Sequence, residues 1–359
     1  MVFMRDRSSD GRSVKKSSHD KTDKKAKKTI LITGATSALG SHLAKRLVED
    51  GYIVRVGVRR QSSEGDFWHR VAAGTIPYIA DLTLKSPGDE RLIEDACRGV
   101  DVIFHLAGLT YEHQTSLDTF LNVNVIGTEN LLNACLKANG DKPVHFIYIS
   151  SVRVYGRVRR GEVLTEESQP KPLGPYGRSK LMAEQVIKAC TESCVPKSIN
   201  YTIFRLTQMY GHGYEKPYFF KVFRMLKERR MKYIGDGSNH LALVHVDDVV
   251  DVLVSSILNP SAYSNTYNVT DGSSYTVREL FEKACKAMDV PPPDKSVNPM
   301  VARAIVKATN ANKDEFDFLT SDRIISISKA KKELGFSPKR SIDKEGIEMA
   351  RDFLSHYRK

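Results

Sequence analysis

The sequence predicts an α/β protein, with a doubly wound parallel sheet and a smaller C-terminal α/β lobe. From Lys28 onward, short β-branched runs alternate with amphipathic helical stretches, the pattern of a parallel sheet covered by helices on both faces. After Arg205 this alternation loosens, and Pro291 to Pro293 mark a break within the later part. The chain of 359 residues, 41% of them hydrophobic, is long enough for one large domain with an appended lobe.

Six strands are predicted in the first part of the chain, with helices filling the intervals between them. The strands are Thr29 to Thr33, Ile53 to Val58, Ile76 to Ala80, Val102 to His105, Val144 to Ile149 and Tyr201 to Phe204. The lobe is expected to contain the helices Tyr218 to Arg229, Val246 to Leu258, Val277 to Met288 and Lys344 to His356. We therefore divide the chain into a basic tail (1–27), a sheet domain (28–205) and a lobe (206–359) from which some segments return to the sheet.

The N-terminal segment carries half of the positive charge. Residues 1 to 28 contain ten Lys or Arg against four Asp, in a chain whose net charge is +12. After Met4 this segment has almost no apolar side chain to bury, so folding would cost more conformational entropy than contacts return. We interpret it as a disordered tail and do not expect nucleic acid as a partner. The alternative is an anchor for RNA or a membrane surface.

The cysteines and the hydropathy pattern favour a cytoplasmic protein. The five cysteines are odd in number and lack the spacings of a zinc site or a disulfide framework. Cys190 and Cys194 lie four apart in a predicted helix, but no second pair accompanies them, so we interpret them as packing residues and expect no metal. No apolar run approaches the roughly 18 residues of a membrane span, and no apolar region follows the N-terminal charges.

A turn rich in small residues joins the first strand to a predicted helix, His42 to Glu49. A strand, a small-residue turn and a helix together let backbone amides approach a pyrophosphate at a helix N-terminus. Ser37 occupies the middle position of the glycine pattern, where its hydroxyl can itself bond a phosphate. The candidate dinucleotide-binding residues of this turn are Gly34, Thr36, Ser37, Ala38, Leu39 and Gly40.

The ends of the next strands supply further candidates for binding a dinucleotide. Arg59 and Arg60 follow the second strand, where a carboxylate would select NAD, and guanidinium groups suit the 2′-phosphate of NADP. NADP is therefore the preferred cofactor, with NAD as the alternative. Asp81 and Leu82, after the third strand, are candidates for holding adenine. After the fourth strand, the small residues among Leu106, Ala107 and Gly108 would let nicotinamide lie against the backbone.

Ser151, Tyr176 and Lys180 form the candidate proton-transfer group. Tyr176 and Lys180 are four residues apart and share one helix face. A free tyrosine ionises near pH 10, so an adjacent ammonium and an oxidised nicotinamide are needed to lower its pKa. Ser151, expected just beyond the strand Val144 to Ile149, could donate a hydrogen bond to the substrate oxygen. The alternative is that Tyr176 and Lys180 are merely two surface residues, because a tyrosine and a lysine at this helical spacing are common on protein surfaces.

Taken together, these residues resemble the extended short-chain dehydrogenase/reductase family, also called the NAD-dependent epimerase/dehydratase family. The resemblance spans nearly all of residues 28 to 358 and includes the segments 122–128, 150–156, 234–237, 244–249, 267–269 and 328–338. It implies a Rossmann domain binding NAD(P) and a substrate lobe. It also implies Tyr176 as the acid/base, Lys180 bound to the nicotinamide ribose and Asn124 supporting the active-site helix. Pairing through two long helices is common in this family, so a homodimer is expected.

Departures from the family pattern narrow the predicted reaction. Val152 and Arg153 replace the Asp-Glu pair of sugar-nucleotide dehydratases, so dehydration is not expected. Gln208 and Leu241 stand where epimerases place an Asn and an Arg that hold a nucleotide diphosphate. The stretch 241–245 and, more weakly, 319–323 instead resemble the branch of sterol dehydrogenases and dihydroflavonol reductases, whose substrates are more apolar.

Three functions remain open from the sequence. The first is an NADP-preferring oxidoreductase for a secondary alcohol/ketone pair of a moderately apolar or isoprenoid-like molecule. The second is an NAD-dependent nucleotide-sugar epimerase. The third is a catalytically silent scaffold that senses nucleotides or associates with RNA, which the basic tail would suit. Such proteins commonly lose the Tyr or the Lys, whereas this chain retains both.

Overall fold

A computed structural model describes most of the chain. The described residues are 27–58, 72–79, 81–84, 86, 88–111, 115–193, 198–211, 217–309 and 313–357. Residues 1 to 26 of the predicted tail, Arg59, Arg60, Ala80 and Cys194 lie outside them. Within the described part of the chain, no helix is both long enough and apolar enough to cross a membrane.

Fifteen strands and twelve α-helices make up the described structure. The strands are β1 (Thr29–Thr33), β2 (Ile53–Val58), β3 (Ile76–Ile79), β4 (Val102–His105), β5 (Val144–Ser151), β6 (Val163–Leu164), β7 (Ile199–Leu206), β8 (Gln208–Tyr210), β9 (Tyr233–Ile234), β10 (His240–Leu241), β11 (Leu243–His245), β12 (Asn265–Val269), β13 (Tyr275–Thr276), β14 (Ser296–Val297) and β15 (Ile324–Ile325). The helices are α1 (Ala38–Glu49), α2 (Asp89–Cys97), α3 (Leu117–Leu121), α4 (Gly127–Asn139), α5 (Pro175–Ser193), α6 (Pro217–Lys227), α7 (Val246–Ser255), α8 (Val277–Ala287), α9 (Pro299–Ala308), α10 (Lys313–Thr320), α11 (Ser328–Leu334) and α12 (Ile342–Tyr357).

The predicted α/β fold class is confirmed. Seven strands form one sheet in the order β12-β7-β5-β4-β1-β2-β3, and every neighbouring pair in it is parallel. The strand order reverses direction between β1 and β4, and in doubly wound sheets ligands bind at such a switch point, beyond the carboxyl ends of the strands. Four two-stranded pairings, β10 with β13, β11 with β8, β14 with β9 and β15 with β6, lie outside this sheet.

Two buried clusters cover the two faces of the main sheet, as the near-continuous apolar strands require. One packs α1, α7 and α11 against the sheet, and the other packs α2, α4 and α5. A third cluster lies in the lobe among α6, α8 and α12. Helices therefore cover both faces of the main sheet, and the lobe has a buried cluster of its own.

Several predicted boundaries differ from the structure, and two of these differences lie beside the cavity described below. Helix α1 begins at Ala38 instead of His42, because the Ser37 hydroxyl caps it by accepting from the Gly40 amide. Strand β5 continues two residues past Ile149, because its last two residues pair with Arg205 and Leu206 of β7. Strand β7 also extends two residues beyond its predicted bounds at each end, and α12 begins two residues earlier than predicted. The segment 265–269 from the later half of the chain forms the seventh strand of the main sheet, paired with β7.

Candidate active site

The turn between β1 and α1 packs tightly against the segment that follows β4. Gly34 has a φ of +76°, and a Cβ built there would lie 2.7 Å from the Ala107 amide nitrogen. The Leu106 amide donates to the Thr33 carbonyl at 3.1 Å, which continues the pairing past the strand ends. The close approach leaves the N-terminus of the twelve-residue helix α1 facing the carboxyl edge of the sheet. Its unpaired amides and the helix dipole favour an anion there.

Lys180 lies one helical turn after Tyr176 and is 5% exposed. Its Nζ donates to the Ile149 carbonyl of β5 at 2.8 Å and lies 4.6 Å from the centre of the Tyr148 ring. Burial lowers the pKa of Lys180 to about 8, an effect that the negative charge of Glu184 partly offsets. The ammonium is therefore held at a fixed point against β5, and its charge is only weakly screened by water.

Asn124 ties the active-site helix to the loop after β4. It lies in a π-helical segment, Asn122–Ile126, between α3 and α4. Its Oδ1 accepts from the Leu109 amide at 2.7 Å, while its Nδ2 donates to the Leu109 carbonyl at 3.1 Å and to the Ser179 Oγ at 2.9 Å. Ser179 in turn donates to the Tyr176 carbonyl at 2.9 Å. A Cβ at Gly108 would meet Asn124 Oδ1 at 2.8 Å, so a larger residue there would displace the Asn124 side chain.

Ser151 and Tyr176 lie on neighbouring elements at the carboxyl edge. Ser151 ends β5, and its Oγ accepts from the Arg153 amide at 3.2 Å. Tyr176 is the second residue of α5, and its ring contacts those of Tyr111 and Phe120 at centroid distances of 6.1 and 6.0 Å. The helix begins at Pro175, a favoured residue in the first turn because its missing amide would have no intrahelical partner.

One cavity of about 170 Å³ connects the predicted cofactor and proton-transfer residues. Ser37, Ala38 and Leu39 line one part of it, and Leu106 and Gly108 line its floor. The other part is lined by Ser151, Tyr176 and Lys180. A molecule with an anionic group near the start of α1 and a reactive group near Tyr176 suits this set of lining residues. A nicotinamide dinucleotide has that chemistry, so the residues present fit the cofactor.

The remaining cofactor candidates are placed around this edge. Gly40 supports the turn, because a Cβ there would meet the Gly34 carbonyl oxygen at 2.4 Å, and Thr36 is exposed within the turn. The Asp81 carboxylate accepts from the Thr83 amide and hydroxyl, and Leu82 is 8% exposed within a core cluster.

His105, at the end of β4, is buried and fixes the strands under the cavity. Thr33 Oγ1 and Thr128 Oγ1 lie 2.7 and 2.9 Å from its two ring nitrogens. Burial, together with the charge of Lys180, lowers the pKa of His105 to about 3, so the ring is neutral and joins β1 and β4 to α4.

A buried ion pair supports the active-site helix from behind. Arg205 of β7 donates to both carboxylate oxygens of Glu184, at 3.0 and 2.6 Å, and Ser150 Oγ donates to the same carboxylate at 2.5 Å. Arg205 also donates to the Tyr155 hydroxyl at 2.9 Å. Because Glu184 lies one turn after Lys180, this network sets the position of α5 against β5 and β7.

The sequence analysis missed an aromatic and cationic group at the far side of the cavity. The Arg153 guanidinium lies 3.9 Å from the ring centres of both Tyr111 and Phe318. Tyr111 also donates to the Gln208 side chain at 3.0 Å. Arg153 was noted only as a departure from the dehydratase pattern. The sequence signal that could have found this group is the position of Tyr111, which lies three residues after the predicted cofactor residue Gly108.

This chain is similar in sequence to a known protein family and to individual proteins of known activity. The family model described as "NAD dependent epimerase/dehydratase family" matches residues 30–270. A UDP-glucose 4-epimerase from Vibrio cholerae is 26% identical over 92% of this chain and 97% of its own length. A decarboxylating sterol-4-alpha-carboxylate 3-dehydrogenase from Dictyostelium discoideum is 24% identical over 73% of this chain and 77% of its own.

Solved structures with the same fold are also found. The crystal structure of UDP-glucuronic acid 4-epimerase from Bacillus cereus in complex with NAD superposes with a TM-score of 0.70. It is 21% identical, and the match covers 92% of this chain and 100% of that one. At this identity the likeness establishes the shared fold.

Proposed function

The chain belongs to the NAD-dependent epimerase/dehydratase family, and from that premise we propose that it interconverts a secondary alcohol and a ketone. When bound, a nicotinamide dinucleotide supplies the hydride acceptor or donor. The observation that carries the proposal is the single cavity lined by the start of α1, Ser151, Tyr176 and Lys180. The turn at α1 offers a pyrophosphate site, and the other three residues offer proton transfer.

Each polar residue has a distinct proposed task. Tyr176 takes the hydroxyl proton during alcohol oxidation and returns it during ketone reduction. Ser151 donates a hydrogen bond to the substrate oxygen, where negative charge develops. Lys180 binds the nicotinamide ribose and lowers the pKa of Tyr176 through its charge. Asn124 positions the helix that carries both, through its bond to Ser179.

The proposed cofactor preference is for NADP, with NAD as the alternative. It rests on Arg59, which follows the last residue of β2, Val58, and lies outside the described residues. The relative of known structure contains NAD. A guanidinium after the second strand suits an additional phosphate, which NAD does not have.

The proposed substrate is moderately apolar. A second cavity, of about 90 Å³, adjoins the first and is lined mainly by apolar side chains of the lobe, including Phe219, Phe223, Leu241 and Phe281. Val152 and Gln208 line both cavities. A substrate whose alcohol faces Tyr176 could thus place an apolar part among these residues and remove its surface from water.

A nucleotide-sugar epimerase is the second candidate, favoured by the nearly full-length match to a UDP-glucose 4-epimerase. The two are separated by incubating the purified protein with NADPH or NADH and a panel of ketones, and separately with UDP-glucose. Consumption of NADPH by apolar ketones supports the oxidoreductase. Interconversion of UDP-glucose and UDP-galactose, without carbonyl reduction, contradicts it and establishes the epimerase.

We further propose a homodimer, because Ile126 and Met182 are exposed apolar residues on the π-helical segment and α5. Sedimentation equilibrium of the wild type and of M182E tests this assembly, and a dimer that persists in M182E contradicts this face. The cytoplasmic location stays a prediction, which fractionation of cells producing the protein tests.

A further inference from the structure

Arg323 is a buried guanidinium with too few partners. It is 2% exposed, and among the described residues its Nε has no hydrogen-bond partner, while its Nη1 donates a long bond, 3.3 Å, to the Asp322 carbonyl. The Asp322 carboxylate is instead bonded to the Gly161 amide and to the amide and ring of His240. Burying a charge without a hydrogen-bonded counter-ion is costly, so an unpaired buried guanidinium calls for an explanation.

A second guanidinium lies beside it. The Cζ atoms of Arg153 and Arg323 lie 3.9 and 4.6 Å from the centre of the same ring, that of Phe318. Burial, together with the charge of Arg153, lowers the pKa of Arg323 to about 9, which leaves it charged at neutral pH. The protein thus holds two positive groups close together, an arrangement that an anion between them would relieve.

Both groups line a cavity that also contains Tyr176. This cavity has a volume of about 230 Å³. Arg323 and Phe318 also line the neighbouring apolar cavity of the lobe, so they stand between the proton-transfer residue and a site for an apolar group. A ligand that contacts Tyr176 from this cavity and enters the apolar cavity therefore lies beside the Arg323 guanidinium.

The charges favour a ligand with a single negative group. The Arg153 guanidinium already pairs with the Glu315 carboxylate at 2.5 Å, and the Asp314 side chain also lines the cavity. Arg323 is the guanidinium whose Nε is left unbonded. One planar carboxylate matches this unused donor and adds a single negative charge beside the two acidic residues, whereas a diphosphate would add more.

We propose that Arg323, with Arg153 beside it, binds a carboxylate of the substrate, so that the substrate is an apolar hydroxy or oxo acid. This inference rests on the proposed function, because it places the acid beside the carbon whose oxygen meets Tyr176. The inference goes further than the proposed function because it specifies a negatively charged substrate, and the interconversion of an alcohol and a ketone does not itself require a charge.

Binding of a probe tests the proposal without turnover. The intact protein is titrated calorimetrically with 3-hydroxydecanoate, with its uncharged methyl ester, with decyl phosphate and with UDP-glucose. The acid should bind at least tenfold more tightly than the ester, and R323M should remove that difference. Because R323M replaces an unpaired buried charge with an apolar side chain of similar length, its thermal midpoint should equal or exceed that of the wild type.

Two further variants complete the test. R157M is the matched control: Arg157 pairs with Asp317 and lines a different cavity, so its loss should leave the acid's affinity unchanged. If R323M fails to fold, R323K, which keeps a charge, should retain a preference for the acid over the ester. Equal affinity of wild type for acid and ester, or unchanged binding in R323M, overturns the proposal. Tighter Arg323-dependent binding of decyl phosphate or UDP-glucose overturns the choice of carboxylate.

Failure of the proposed function is distinguishable from failure of this inference. Acid binding that depends on Arg323, without oxidation of the acid or reduction of the matching oxo acid, supports the carboxylate site and counts against the reaction. Turnover of both uncharged ketones and the oxo acid that R323M leaves unchanged supports the reaction and counts against the carboxylate site.

Discussion

At the scale of single residues, proton transfer depends on how Tyr176 is held. Its backbone carbonyl accepts from Ser179, which accepts from Asn124, so the position of the tyrosine is tied to the loop after β4. Lys180 is fixed independently, through the Ile149 carbonyl of β5. Because two different elements hold the two residues, the loss of either side chain should change chemistry more than it changes folding.

The Y176F substitution tests the proton-transfer role. We expect turnover to fall by about 10²- to 10⁴-fold, because the ring remains while the proton donor is lost. Binding of the dinucleotide, measured by calorimetry, should stay within about threefold of the wild type, a loss below 1 kcal/mol. The control is Y263F, since Tyr263 lies beside the start of β12, at the opposite edge of the sheet. A Y176F protein with nearly full activity would rule out this role.

The cofactor preference depends on Arg59. In R59Q we expect NADPH affinity to fall about tenfold or more, about 1.4 kcal/mol, while NADH affinity is unchanged, because only NADPH carries the 2′-phosphate. R98Q is the control, since Arg98 is an exposed arginine paired with Asp95 in the same half of the chain. Equal losses for both cofactors would mean that Arg59 does not read the 2′-phosphate.

At the scale of elements, the turn after β1 and the segment after β4 must approach each other closely. Gly34 and Gly51 both have positive φ, +76° and +86°, but their surroundings differ. A Cβ at Gly34 would meet the backbone of Leu106 and Ala107 within 2.9 Å, whereas nothing lies within 4 Å of one at Gly51. Substituting Gly51 would therefore cause backbone strain alone, whereas substituting Gly34 would cause both backbone strain and steric overlap.

The pair G34A and G51A tests this distinction. We expect G51A to lower the free energy of unfolding by about 1 kcal/mol, from backbone strain alone. G34A should lower it by about 3 kcal/mol or more, because strain and overlap add, and it should also weaken dinucleotide binding. Chemical denaturation measures both changes. Equal destabilisation of the two variants would show that the close approach at Gly34 is not needed.

A buried histidine joins β5 to β7 and makes stability depend on pH. The Leu258 amide donates to His145 Nδ1 at 3.2 Å, so Nε2 carries the proton and donates to Thr202 Oγ1 at 2.8 Å. Burial lowers the pKa of His145 from 6.5 to about 3. Between these values the unfolded chain binds one more proton at this group than the folded chain, so stability falls as the pH falls from 6.5 toward 3.

H145Q should remove this contribution. Between pH 6 and pH 4 the free energy of unfolding of the wild type should fall more steeply than that of the variant, by about 1.4 kcal/mol per pH unit. Urea denaturation at several pH values measures the slope. H356Q, which changes an exposed histidine of α12, serves as the comparison. Parallel slopes for the wild type and H145Q would show that His145 is protonated in the folded protein.

At the scale of the whole molecule, local patterns predicted the sheet better than the cavity wall. The β-branched runs of β1, β2 and β4 match their predicted bounds, because period and composition are local properties. The spacing of Tyr176 and Lys180 likewise follows from helical geometry alone. The π-helical turn at Asn124 could not be predicted, because its bonds to Leu109 and Ser179 join distant segments.

The group formed by Arg153, Phe318 and Arg323 was even harder to predict from the sequence. Arg153 and Arg323 meet at Phe318, although 170 positions separate the two arginines in the chain. Nothing in the sequence around Ser321 to Arg323 indicates that this arginine would be buried without a hydrogen-bonded carboxylate among the described residues. Burial and missing partners depend on how the later segments pack over the carboxyl edge of the sheet.

The most direct test of the central claim is a calorimetric titration of the intact protein, freed of any retained nucleotide, with NAD, NADH, NADP and NADPH. If the cavity between α1 and Tyr176 holds a dinucleotide, at least one of the four binds saturably at one site per chain. We predict that NADPH binds at least about tenfold more tightly than NADH, about 1.4 kcal/mol. Failure of all four to bind would contradict the assignment of this cavity and, with it, the proposed reaction.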